Sequence, residues 1–193
     1  MSRLILASAS PRRVQLLRDA KFAPEIVPAD VEELSCDFLT PTELTLFNAY
    51  RKAAAVAIRH PDAVVLGADT LVVLGSEVFG KPRDLVGARR MLERLVGKTH
   101  IVITGVSVIQ VKVGRAITRA VHTNVKFRLL TATEIEDYLK IAEPLDKAGA
   151  YAAQKSPDVI IERVNGSFTN VVGLPMELVL PLLTSVGIQP GQT

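Results

Sequence analysis

The sequence predicts an α/β fold in which helices pack in layers on a sheet. Short apolar runs of strand length alternate with amphipathic runs of helical spacing, and the helices open on readable cap residues. With 193 residues, 48% of them apolar, the chain is long enough for one core and too short for two large independent domains.

Leu4-Ile5-Leu6 is the first strand, followed by a helix over Val14 to Ala20. Ser10 stands at its N-cap and Pro11 at the first helical position, where a missing N–H costs nothing. Thr40-Pro41-Thr42-Glu43 is a capping box opening a helix that reaches about His60, and His60-Pro61 stops it. Val64-Val65-Leu66 and Leu71-Val72-Val73 read as two buried strands joined by a turn-like Gly67-Ala68-Asp69-Thr70. Asp84 caps a helix whose Ala88, Met91, Leu92 and Leu95 repeat at helical spacing.

A hairpin comes next, from His100 to Val113 and back after Gly114. Its second arm places Ile117, Val121, Val125, Phe127 and Leu129 on one face, with Thr118, His122, Asn124, Lys126 and Arg128 on the other. Thr131 and Glu134 form a second capping box, for a helix to about Ala142. Val159 to Val164 reads as a strand, Asn165-Gly166 as a tight turn, and the last helix begins near Pro175. Gln189 to Thr193 reads as a frayed tail. Neither an internal repeat nor a low-complexity linker interrupts the chain, so residues 1–193 are expected to form a single domain.

A formal net charge of +3 suits acidic small molecules, and no basic run interleaved with aromatics points to nucleic acid. Cys36 is the single cysteine, which excludes an intrachain disulfide. The apolar run after Arg3 is too short for a signal-peptide core, and no stretch has the length of a membrane span. The expected location is the cytoplasm.

Ser8-Ala9-Ser10-Pro11-Arg12-Arg13 carries the clearest chemistry. Two arginines in a first helical turn face the positive end of the helix dipole and call for an anion, such as a phosphate held by helix N–H groups and serine hydroxyls; two solvated arginines without a ligand are the alternative. Asp69 interrupts an apolar run, where a carboxylate must be paired, hydrogen-bonded or bound to a cation. Bonding to turn amides remains an equal alternative for it. Lys81, in Gly80-Lys81-Pro82, reads either as a phosphate-directed loop lysine or as an exposed turn. Glu32-Glu33 lies in a loop, where one acid could join Asp69 on a hard cation. Lys52 lies inside a helix, and Asp146-Lys147-Ala148-Gly149-Ala150-Tyr151 with Gln154 reads as a loop.

Other chemistries lack parts. His60, His100, His122 and Cys36 have no zinc-type spacing, and the chain has no G-x-S-x-G elbow, Walker A loop or G-x-G-x-x-G.

Five ordered motifs together resemble the Maf family of nucleoside triphosphate pyrophosphatases: SASPRR at 8–13, GADT at 67–70, GKP at 80–82, DKAGAY at 146–151 and NGSFTNVVGLP at 165–175. The resemblance implies an elongated two-lobed fold of the inosine-triphosphatase-like (Maf/Ham) type, with a mixed sheet and a deep cleft between lobes. It implies hydrolysis of dTTP and UTP to the monophosphate and pyrophosphate, with Asp69 as the catalytic base. Arg12, Thr70 and Gln154 would set substrate preference, and Ser8, Ser10, Arg13, Lys52 and Lys81 would complete the substrate site. Glu33 and Asp69 would hold Mg²⁺ or Mn²⁺, bound partly through substrate phosphates. The resemblance also extends to homodimerisation.

The neutral Gln154 amide suits uracil and thymine, which offer a donor and an acceptor along one edge. The branch acting on 7-methyl-GTP carries a glutamate there. The family follows this glutamine with glycine, whereas Lys155 and Ser156 follow here. Two other classes compete: a nucleotidyltransferase forming sugar nucleotides, which lacks its longer glycine-rich loop, and a nucleotide-binding regulator of cell division without turnover, against which the presence of Asp69 with Lys81 counts.

Overall fold

A computed structural model describes residues 3–36, 38–154 and 157–191. The strands are β1 (Leu4–Leu6), β2 (Glu25–Ile26), β3 (Val64–Leu74), β4 (Glu77–Phe79), β5 (Thr99–Gln110), β6 (Arg115–Phe127) and β7 (Ile161–Asn165). The helices are α1 (Pro11–Asp19), α2 (Pro41–Ala57), α3 (Leu85–Leu95), α4 (Ala132–Ala142), α5 (Pro157–Ile160), α6 (Phe168–Val172) and α7 (Met176–Ser185). The sheet runs β2-β1-β3-β5-β6-β7, with β4 also paired to β3. It is mixed: β1 pairs in parallel with β2 and β3, while β3–β4 and β6–β7 are antiparallel.

The chain divides into two compact units. The first comprises Met1–Asp69, Thr104–Val121 and Gly173–Thr193. Its strands β1, β3 and β5 are apolar on both faces, as strands covered on both sides must be. Leu4, Leu6, Val64, Leu66, Val106 and Val108 meet Leu17 of α1 and Val179 and Leu183 of α7. On the opposite face Ile5, Ala7, Val65 and Ile109 meet Ala53, Val56 and Ala57 of α2.

Two glycines set how closely α2 lies on that face. A β-carbon at Gly67 of β3 would stand 2.6 Å from the Ala49 carbonyl oxygen and 2.8 Å from the Ala53 nitrogen. One at Gly105 of β5 would stand 2.3 Å from the Thr45 carbonyl oxygen. Helix backbone therefore touches strand backbone, which only glycine permits.

The second unit comprises Thr70–Ile103 and His122–Val172. There α3 packs against α4, and His100, Phe127 and Tyr151 stack edge to face with ring centroids 4.5–5.5 Å apart. Among the described residues no helix is long and apolar enough to cross a membrane.

Both capping boxes form, with Thr40 and Glu43 on α2 and Thr131 and Glu134 on α4, and the Asp84 side chain accepts from the Gly87 N–H at the start of α3. Four local expectations need correction. Gly67 to Thr70 is no turn but the middle of β3, because its flanks are held in ladders: Val64–Leu66 with β1 and Val72–Leu74 with β4. Ser10 occupies the N-cap of α1 without a side-chain cap bond; its N–H instead donates to Ser8 Oγ at 3.2 Å.

Leu129 is not on the buried face of the hairpin, since β6 ends at Phe127 and Leu129 is 86% exposed. The strand expected from Val159 begins at Ile161, after the short helical turn α5. Smaller shifts occur at ends: α2 stops at Ala57, where the Arg59 and His60 N–H groups turn back to Val56 and Ala57. Lys155 and Ser156, which depart from the family pattern, lie outside the described residues, as do Gln192 and Thr193 of the tail.

Candidate active site

The close seating of α2 on β3 has a chemical consequence. Gly67 and Asp69 lie two residues apart and so project from the same face of β3, the face that carries α2. Lys52, next to Ala53 in α2, is thereby delivered to Asp69, and its Nζ donates to Asp69 Oδ1 at 2.7 Å. The same ammonium donates to Glu33 Oε1 at 2.7 Å. Asp69 and Lys52 are largely withdrawn from water, with side chains 5% and 13% exposed, while Glu33 is 48% exposed.

Glu33 reaches this position because its loop is held from α2. Asn48, one helical turn before Lys52, accepts from the Leu34 N–H at 2.8 Å and donates to the Leu34 carbonyl at 3.1 Å. Arg51 donates to the Glu32 carbonyl. The sequence carries a signal for this arrangement. Thr45, Asn48 and Lys52 form a polar stripe at i, i+3, i+7 on a helix rich in alanine, and the first two are almost fully buried.

Asp69 keeps one feature that its neighbours do not explain. Its second oxygen, Oδ2, is buried and has no hydrogen-bond partner among the described residues. A buried carboxylate oxygen left open is costly unless a ligand completes it.

Arg13 secures the backbone next to Asp69. Its Nε donates to the Gly173 carbonyl at 2.8 Å, and one terminal nitrogen donates to the Ala68 carbonyl at 2.9 Å and to Ser8 Oγ at 3.2 Å. One guanidinium thus ties the first loop, the residue preceding Asp69 and the segment entering α7. Burial pushes its pKa below the ordinary guanidinium value, the charges of Asp69 and Glu33 oppose that, and the Arg12 charge adds to it. Arg13 thus donates to two carbonyl oxygens and a hydroxyl, all neutral acceptors. Arg12 and Ser10 are half-buried beside it in sequence.

Within the first unit, then, Ser8, Arg13, Glu33, Lys52 and Asp69 are joined by direct bonds or through shared neighbours. Thr70, Lys81 and Gln154 belong to the second unit. Lys81 and Gln154 are both exposed, and their segments are tied together by the Gly149 N–H donating to the Gly80 carbonyl at 3.1 Å. No group of three His, Cys, Asp or Glu side chains that could cage a metal occurs among the described residues. Two carboxylates with one open buried oxygen still fit a divalent cation that draws its remaining ligands from a bound substrate.

Residues 3–186 match the family described as Maf-like protein. A dTTP/UTP pyrophosphatase of Clostridioides difficile is 42% identical over 180 residues, covering 93% of this chain and 93% of that protein. A dTTP/UTP pyrophosphatase of Moorella thermoacetica is 45% identical over 188 residues, covering 97% of each. Among solved structures, the Staphylococcus aureus Ham1 protein aligns with a TM-score of 0.47 at 14% identity, covering 65% of this chain and 72% of that one.

Proposed function

Because the chain belongs to the Maf family, we propose that it hydrolyses dTTP and UTP to the nucleoside monophosphate and pyrophosphate. The observation that carries the reading is the buried Asp69 carboxylate, ion-paired through Oδ1 to Lys52 and left open at Oδ2. Such an oxygen is free to accept a proton from water, as a base must be.

In this reading the water oxygen attacks the α-phosphorus, the bond from that phosphorus to the bridging oxygen breaks, and pyrophosphate leaves. Asp69 orients the water and takes its proton. Lys52 holds the carboxylate in place, and Arg13 does so from the Ala68 side. Arg12, Lys52 and Lys81 offset the triphosphate charge, each charge-assisted contact contributing ~1.5–3 kcal/mol. Ser8 and Ser10 add hydroxyls at the start of α1. Thr70 and Gln154 select the base, the amide meeting the N3–H and O4 edge of uracil or thymine.

Glu33 and Asp69 would hold Mg²⁺ or Mn²⁺ together with the substrate phosphates. When bound, that cation supplies charge neutralisation on the phosphoryl oxygens.

The test is pyrophosphate release from dTTP, UTP, CTP, ATP, GTP and 7-methyl-GTP with Mg²⁺ or Mn²⁺ added. Release from dTTP and UTP above the others is expected. Folded protein that releases pyrophosphate from none of them overturns the reading, and preference for 7-methyl-GTP overturns the assignment of the base.

A further inference from the structure

Gln154 faces a problem that its chemistry alone does not solve. A primary amide carries both a donor and an acceptor, so by rotating it can match thymine (N3–H donor, O4 acceptor) or cytosine (N3 acceptor, N4–H donor). An amide can reject cytosine only if its position and facing are fixed from behind.

The second unit contains a device that fixes the segment leading to Gln154. Ala150, Tyr151, Ala152 and Ala153 are buried in succession, and Gln154 is the first exposed side chain after them. Two buried phenols hold that run. The Tyr138 hydroxyl, from α4, accepts from the Ala152 N–H at 3.0 Å and donates to the Ala152 carbonyl at 3.4 Å, closing both backbone groups of one residue. The Tyr151 hydroxyl shares a hydrogen bond of 3.2 Å with His100 Nε2 at the start of β5, and both rings stack edge to face on Phe127.

The backbone records the tension of this arrangement, since Ala150 is held at φ 62°, a region its β-carbon disfavours. Burial pushes the Tyr138 hydroxyl up to about 12 and that of Tyr151 higher still, so both stay protonated donors.

From this geometry we infer that Tyr138 and the His100–Tyr151 pair are positioning residues for base selection, fixing Gln154 so that its amide presents one orientation to the base. The inference rests on the hydrolase reading above and deepens it. Tyr138 touches no substrate; it acts through the Ala152 backbone, two residues from Gln154.

The experiment compares dTTP with dCTP in the wild type and in Tyr138→Phe, Tyr151→Phe and Gln154→Ala, with far-UV circular dichroism as the check on folding. Tyr138→Phe should raise KM for dTTP ~3–10-fold, with a smaller change in kcat, and shrink the dTTP to dCTP ratio of kcat/KM by a similar factor. Tyr151→Phe should move both in the same direction. Added to Gln154→Ala, the Tyr138→Phe change should cost no further discrimination, because both act through one amide. A phenol that merely supports the core lowers the melting temperature and leaves the ratio intact. An unchanged ratio in the folded variants overturns the inference alone, as does loss of folding in both phenol variants. Absence of turnover in the wild type overturns the hydrolase reading, and the inference with it.

Discussion

Replacing Lys52 by Met should destabilise the protein mainly by stranding a charge. Lys52 donates the hydrogen bond that Asp69 Oδ1 accepts, and the Asp69 side chain is 5% exposed with Oδ2 already open. Removing one member of a buried pair costs ~3–5 kcal/mol, because the survivor is neither paired nor hydrated. One effect limits the loss: Arg13 remains near enough for its charge to be felt.

The expected loss for Lys52→Met is thus about 2–4 kcal/mol. The Glu33 half of the bridge adds little, since that side chain is half exposed. In the Lys52→Met background, Asp69→Asn removes the stranded charge and should restore at least ~2 kcal/mol, whereas in the wild-type background it should not stabilise to that extent. Urea unfolding of the four proteins at pH 7 closes the cycle. A loss below about 1 kcal/mol for Lys52→Met, or no rescue by Asp69→Asn, would show that the pair is not coupled as described.

Other expectations follow from the same packing. Gly67→Ala forces a β-carbon against the α2 backbone and should cost ~1–3 kcal/mol, with a fall in kcat as Lys52 moves from Asp69; full stability and turnover would refute the close-seating argument. Arg13→Lys keeps the charge but cannot hold the Ala68 and Gly173 carbonyls with one ammonium. It should therefore lower both stability and kcat, and wild-type values would mean that charge alone matters.

His100 is buried with its pKa lowered from 6.5 to about 4 by desolvation. The unfolded chain binds the extra proton between those values, so stability falls as pH drops from about 6.5 to about 4, by up to ~3 kcal/mol. His100→Gln should flatten that slope relative to the wild type in urea titrations across the window, and parallel slopes would contradict the assignment.

Local signals were legible in the sequence where local chemistry decides the outcome. The Thr40–Glu43 and Thr131–Glu134 boxes, the Asp84 cap and the Gly114 turn depend on residues within a few positions of one another. Gly67-Ala68-Asp69-Thr70 misled for the opposite reason. Its composition favours a turn, but ladders on both flanks hold it extended, and the glycine serves the close approach of the preceding helix, α2.

Asp69, Lys52 and Glu33 could be proposed from residue type and motif position, but their shared ammonium depends on the seating of α2, which no local pattern encodes. The same limit hid Tyr138 and His100. Their bonds to Tyr151 and Ala152 join residues well separated in the chain, so no local pattern marks them.

The most direct measurement is product formation from dTTP by the wild type and by Asp69→Asn, at matched concentrations of folded protein and with Mg²⁺ or Mn²⁺ present. The account predicts dTMP and pyrophosphate in equal amounts from the wild type, and kcat lower by at least ~10²-fold in the variant. Orthophosphate and dTDP as products, or turnover in Asp69→Asn close to that of the wild type, would contradict it.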